Sequence, residues 1–243
     1  KIHTVKIGFP GDPSGPQAPV MDVPGNLNYD MWLGSTPEIF YTEMRVHPQN
    51  NYSRPGWLRC EQFGAGMITG WGSHFFDYAS WGMDTEYTGP VRIVNPKATW
   101  ANHPIWNTAT EYYFEAIYEN GLKMIVSNKE RGGVTFEGSD GWVWANRGKH
   151  EASSEEIMNS VISNDEIHLY QSENHFRNFI DCVISRKEPI APAEIAHRSI
   201  TVAHLGNIAM KLEQDLEWDP VTEKFVHNDT ANQMLHRQMR APW

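Results

Sequence analysis

No apolar run in these 243 residues approaches the roughly 18 that a membrane-spanning helix needs. The chain also lacks a surplus of basic side chains. Its 20 Lys and Arg stand against 30 Asp and Glu, a formal charge of -10, which argues against a phosphate backbone as partner. Cysteine is scarce. Cys60 and Cys182 are far apart and form no CxxC pair, so they read as two buried thiols, with one disulfide as the alternative. No secretory leader is visible, because Lys1-Ile-His-Thr-Val-Lys-Ile7 alternates like a strand. There is no initiating methionine, and the chain reads as a trimmed piece of something longer. Internal repeats, low-complexity tracts, linkers and a Gly-x-Ser-x-Gly nucleophile elbow are all missing.

What remains is an ordinary globular composition, 40% apolar and 21% charged, unusually rich in tryptophan. Several of the ten tryptophans, Trp32, Trp57, Trp71 and Trp106 among them, sit in Gly/Pro-rich stretches. There they can stack on the flat C–H faces of sugar rings or simply pack.

The periodicity sets an order of elements. Residues 1–9 read as a strand and residues 10–62 as a long irregular segment. A helix is predicted from Trp71 to Met83. Strands follow from Val91, with one hairpin turning at Asn120-Gly121 and a second at Gly138-Ser-Asp-Gly141. After residue 150 helices dominate. Ser153 with Glu156 fits a capping box, and Ser172 caps a helix whose apolar face is Phe176, Phe179, Ile180, Val183 and Ile184. Pro192 opens a long helix with Ile195, Val202, Leu205, Ile208 and Leu212 inward. The tail from Trp218 is irregular apart from a helical piece near Ala231–Arg237. This is an α+β order, best met by one open, mostly antiparallel sheet with helices on one face. Its bare face would be covered by a second copy, which makes a homo-oligomer the expectation.

The chemistry concentrates at Gly64-Ala-Gly-Met-Ile-Thr-Gly-Trp-Gly-Ser-His74-Phe-Phe-Asp77. Glycines 64, 66, 70 and 72 permit close backbone approach. The stretch is not a dinucleotide loop, because no buried strand precedes it and no βαβ pattern follows. His74 and Asp77, three apart on a helix, suit an acid–base group with its orienting carboxylate, a metal pair, or a structural cap. His197 and His204 share a helix face seven residues apart. With His74 they could serve a metal-dependent isomerase or lyase, or be ordinary histidines. Asp30, Arg54 and Arg59 could hydrogen-bond a polyol.

Longer motifs occur in a fixed order: Leu27-Asn-Tyr-Asp-Met-Trp-Leu-Gly34, the Gly66–Asp77 segment, Glu173-Asn-His-Phe-Arg-Asn-Phe-Ile-Asp-Cys182, Arg186-Lys-Glu-Pro-Ile190, His197–Ala209 and Arg240-Ala-Pro-Trp243. Together they resemble the C-terminal domain of the Gfo/Idh/MocA family of NAD(P)-dependent sugar dehydrogenases, in its bacterial-type branch. The resemblance implies a fold like the C-terminal domains of dihydrodipicolinate reductase and glyceraldehyde-phosphate dehydrogenase. It makes residues 1–243 a single substrate-binding and oligomerisation domain. The N-terminal Rossmann domain, absent from this chain, would bind NAD or NADP. The implied partners are a carbohydrate substrate, that Rossmann domain, and further copies in a dimer or tetramer through the sheet face. Neither nucleic acid nor membrane is implied, and the location is periplasmic or cytoplasmic, with the resemblance leaning to the periplasm. The family's Asp-x-x-x-His motif falls on Gly70 to His74, so the histidine matches and the aspartate does not. His74 is then the implied catalytic residue. Asn28, Asp30, Arg54, Trp57, Trp71, Asp77 and His197 are the candidate substrate contacts. The fragment alone is expected to be inactive. A carbohydrate-binding or assembly domain without catalysis is the competing reading.

Overall fold

The computed structural model describes residues 1–13, 15, 17–46 and 56–243. Its frame is a nine-stranded sheet. The strands are β1 (Ile2–Gly8), β2 (Arg92–Trp100), β3 (Ala109–Ile117), β4 (Lys123–Ser127), β5 (Gly133–Gly138), β6 (Gly141–Asn146), β7 (Lys149–Ala152), β8 (Leu216–Asp219) and β9 (Lys224–Phe225). They lie in the order β7-β6-β5-β1-β4-β3-β2-β8-β9. Every pairing among these strands is antiparallel except that of β1 with β4.

The alternation along the strands sorts the two faces. Val5 and Ile7 of β1, Phe114 and Ala116 of β3 and Met124 and Val126 of β4 are fully buried on one side. On the other side Lys6 pairs with Glu137 at 2.6 Å, and Glu115 accepts from Tyr113 at 2.7 Å and faces Lys123 at 3.4 Å. Burial next to that carboxylate pushes the Tyr113 phenol up to about 12.

Two helices cover the apolar face, α4 (Gly72–Met83) and α7 (Ala193–Leu212). Phe75, Phe76 and Ala79 of α4 meet Val202, Leu205 and Ala209 of α7 in one core with the strands. Gly206 lets α7 descend onto β3, since a Cβ there would sit 2.3 Å from the Phe114 ring. The long segment after β1 holds only short helical pieces: α1 (Tyr29–Leu33), α2 (Glu43–Val46), a 3-10 turn (Gly56–Arg59) and α3 (Met67–Gly70). The remaining helices are α5 (Glu155–Met158), α6 (His175–Ser185) and α8 (Asp229–Gln233). Among the described residues no helix is long and apolar enough to cross a membrane.

Several local expectations need correction. Ser154, not Ser153, caps α5, accepting from the Ile157 N–H; Ser153 instead accepts from the Trp142 N–H across the β6–β7 hairpin. Asn174 caps α6 in place of Ser172, because it directly precedes the helix and its Oδ1 accepts from the Arg177 N–H three residues on. Pro192 stands one position ahead of the helix it opens. The tail is more ordered than its composition suggested, since Leu216–Asp219 pairs with β2 and with β9. Both cysteines are buried and unpaired. Burial pushes the Cys60 thiol up to about 11. The predicted apolar stripe of α6 exists, but it does not join the core. Cys182 is its one buried residue, and Phe176 is 82% exposed.

Candidate active site

The site lies where β1 ends and α3–α4 begin. At that end the buried Asp12 carboxylate accepts the Met67 N–H at 2.6 Å and the Thr108 hydroxyl at 3.3 Å. Gly66 sits against it at φ 70°, where a Cβ would fall 2.1 Å from Asp12 Oδ2. The close approach foreseen from the glycines is therefore made to the protein's own Asp12 and Thr108, which follow β1 and precede β3. A short turn of α3 then delivers α4 with His74 in its first turn.

His74 and Asp77, one turn apart, open into a single cavity of about 450 Å³ with Tyr78, Trp81, Arg147 and the start of α7. His74 is exposed and Asp77 half-buried. Burial raises the Asp77 carboxyl above its ordinary value, and the neighbouring His74 only partly offsets this. Aromatic rings frame the histidine. Trp71 lies 5.9 Å from it and stacks on Phe75 at 6.0 Å, and Phe75 stacks in turn on Phe9. Ser73, beside His74, donates its hydroxyl to the Gly70 carbonyl at 3.0 Å, which leaves no serine–histidine pair.

The other sequence candidates scatter. Asn28 caps α1 by accepting from the Met31 N–H. Asp30 is held by Arg240 at 2.6 Å, and the same guanidinium donates to the Asp30, Gly34 and Thr36 carbonyls. Arg54 lies outside the described residues. Trp57 sits half-buried in the 3-10 turn. The Arg59 guanidinium lies 5.0 Å over the Trp106 ring. His197 bonds Glu223 at 2.6 Å and lines a separate cavity of about 440 Å³ with His204, Lys211 and His236. Burial lowers the His204 imidazole. Among the described residues no three His, Cys, Asp or Glu side chains gather as a metal site, so His74, His197 and His204 do not form one. Arg147 is the pocket residue that sequence reasoning missed. No spacing ties it to His74; the β5–β6 register and the turn after it bring it there.

Residues 13–243 match the family model described as the oxidoreductase family, C-terminal alpha/beta domain, of Gfo/Idh/MocA proteins. The chain belongs to the Gfo/Idh/MocA oxidoreductase family.

Solved structures agree on the fold of this family's domain. The chain is similar to an NAD-binding protein from Listeria innocua at 12% identity and TM-score 0.53, with 89% of this chain and 55% of that one covered. It is similar to the WlbA dehydrogenase from Bordetella pertussis, solved with NADH and UDP-GlcNAcA, at 13% identity and TM-score 0.51, covering 90% and 55%. It is also similar to an aldose-aldose oxidoreductase from Caulobacter crescentus, complexed with glycerol, at 12% identity and TM-score 0.50, covering 89% and 55%. The chain thus spans about half the length of these structures. No curated protein matches it. In this Gfo/Idh/MocA domain the glycine-rich stretch follows a 3-10 turn rather than a strand, and its Gly66 is packed against Asp12. It offers no cradle for a dinucleotide phosphate.

Proposed function

We propose that this chain is the substrate-binding half of an NAD(P)-dependent oxidoreductase that acts on a secondary hydroxyl of a sugar or sugar derivative. The observation that carries the reading is that His74 and Asp77 share one aromatic-framed cavity in a domain of this family. The relatives solved with NADH, a nucleotide sugar and glycerol support the substrate class. The nicotinamide supplies a hydride acceptor. The chain supplies the rest. Tyr78 and Trp81 offer apolar faces to a sugar ring. His74 takes the hydroxyl proton as the C–H bond gives up its hydride, so O–H and C–H are lost together and a ketone forms. Asp77, half-buried one turn on, orients the histidine side of the pocket.

Two further parts belong to this reading. A dinucleotide-binding domain docks on the exposed apolar side of α6, and a second copy covers the open sheet face. The charged and aromatic character of that face, with Tyr113, Lys6 and Glu137, suits a polar interface between copies. A periplasmic home is proposed from the family resemblance, and fractionation of cells making the full-length protein tests it.

The decisive experiment uses the full-length protein with NAD, NADP and a panel of sugars. His74→Asn should lower kcat about 10²- to 10⁴-fold, the usual worth of a general acid–base group, while leaving sugar binding in place. Unchanged turnover in that variant would remove His74 from the chemistry. Sugar binding without turnover by any cofactor would favour the carbohydrate-binding reading, to which Gly70 in the place of the family aspartate also points. The 243-residue chain alone should not turn over sugar with added NAD.

A further inference from the structure

We propose that Arg147 sets the substrate specificity of the His74 pocket, and that the substrate carries an anionic group, a carboxylate or a phosphate, which this guanidinium binds. The inference rests on reading that cavity as the substrate site.

Four observations converge on it. First, acids outnumber bases in this chain, and four of the described arginines pair with one, whereas the exposed Arg92, Arg147, Arg186 and Arg237 do not among the described residues; of these Arg147 alone lines the His74 cavity. Arg131 pairs with Glu151, Arg177 with Asp181, Arg198 with Glu194 and Arg240 with Asp30. Arg147 makes no ion pair and no side-chain hydrogen bond among the described residues, although Asp77 lines the same cavity. A cation left without its acid beside a catalytic candidate is available to a ligand's charge.

Second, its position is costly. Arg147 and Gly148 form the two-residue turn between β6 and β7, with φ of 41° and 79°. Asn or Gly adopts the first of these positions without strain, whereas a long side chain costs about 1 kcal/mol there. Strained non-glycine residues gather at ligand sites.

Third, the side chain is aimed. Its guanidinium carbon stands 4.5 Å over the Trp71 ring, and Trp71 is braced by Phe75. Stacking uses the flat face of the guanidinium and leaves its N–H edge free to form the paired hydrogen bonds that carboxylates and phosphates accept.

Fourth, Arg147 and His74 line one cavity of about 450 Å³, within the range of small-ligand pockets. A monosaccharide can place a hydroxyl at His74 and an anionic substituent at Arg147 together.

The test is a titration of the full-length protein, followed by tryptophan fluorescence, with glucose, glucuronate and glucose 6-phosphate. One of the two anionic sugars should bind at least about tenfold tighter than glucose, and added salt should shrink the difference. Whether glucuronate or the phosphate wins identifies the anion. Arg147→Gln should abolish the preference by weakening the anionic sugar at least about tenfold, with a smaller change for glucose and with NAD binding as it was. Arg147→Lys should keep part of it, because the charge remains and the planar fork is lost. In turnover the loss should appear in KM rather than kcat. Arg147 is exposed, so neither variant should lower Tm by more than a degree or so. Anionic sugars binding no better than glucose, an unchanged preference in Arg147→Gln, or a loss of NAD binding in that variant would each overturn the proposal. Arg147-dependent binding of an anionic sugar that is never oxidised would instead leave this inference standing and remove the oxidoreductase reading.

Discussion

The Asp12 carboxylate accepts the Met67 N–H at 2.6 Å, fastening the end of β1 to the start of the segment that presents His74. The two residues are 55 apart in sequence, and both are buried. This one bond fixes where α3, and so α4, leaves the sheet. Asp12→Ala would strand a buried N–H, a loss of about 1–3 kcal/mol. A Tm several degrees lower is expected, along with loss of any ligand binding at the His74 cavity. A variant with unaltered Tm would show that the loop is held by its aromatic packing instead.

The glycines of the same stretch divide sharply. Gly66 combines φ 70° with a Cβ position 2.1 Å from Asp12 Oδ2, so Gly66→Ala should destabilise by about 1–3 kcal/mol, the cost of strain and overpacking. Gly70, at the end of α3, meets nothing within 4 Å. Gly70→Ala should be neutral or stabilising by up to about 1 kcal/mol, since alanine favours helix. Gly70→Asp should fold equally well and restores the aspartate of the family motif. Denaturant midpoints measure the first pair. The turnover of the full-length Gly70→Asp protein asks whether the missing carboxylate limits catalysis.

The carboxyl of Asp77 is raised by its burial, so the folded state favours the protonated form. Stability from that preference is complete below the unfolded value of 3.8 and is lost as pH rises through the folded value. Asp77→Asn has no such proton to lose. Its Tm relative to the parent should therefore climb as pH rises from the unfolded value of 3.8 through the raised folded value, and the two curves should draw together in acid. A variant that loses ground as pH rises would mean that the folded state favours the ionised carboxylate instead.

Sequence reasoning succeeded where period and turn chemistry are local. The Asn120-Gly121 hairpin, helix α4 and the inward face of α7 follow from spacing alone, as does the pairing of His74 with Asp77 on one helix. It does not show a partner that lies far along the chain. Asp30 looked like a polyol ligand because nothing nearby claims it; Arg240, 210 residues on, does. His197 looked like a pocket residue by resemblance, yet Glu223 holds it at a different cavity. Strands β8 and β9 are short and gain their definition from β2, so their own residues carried little signal. Arg147 was invisible because a turn residue acquires its role only from the strand register that aims it.

The apolar side of α6 gives the last expectation. Phe176, Phe179, Ile180, Val183 and Ile184 are all exposed, and the helix, capped by Asn174, buries Cys182 instead of them. Their burial therefore contributes little to the folding of this chain. Phe179→Ser with Ile180→Ser should change the Tm of the 243-residue chain very little and should reduce its tendency to associate at high concentration. In the full-length protein the same pair should cost several kcal/mol, about 1.5–3 for each large apolar side chain that the docked domain takes out of water. Equal effects in the two settings would mean that the dinucleotide-binding domain docks elsewhere. A large loss in the chain alone would mean that α6 already packs on its own core.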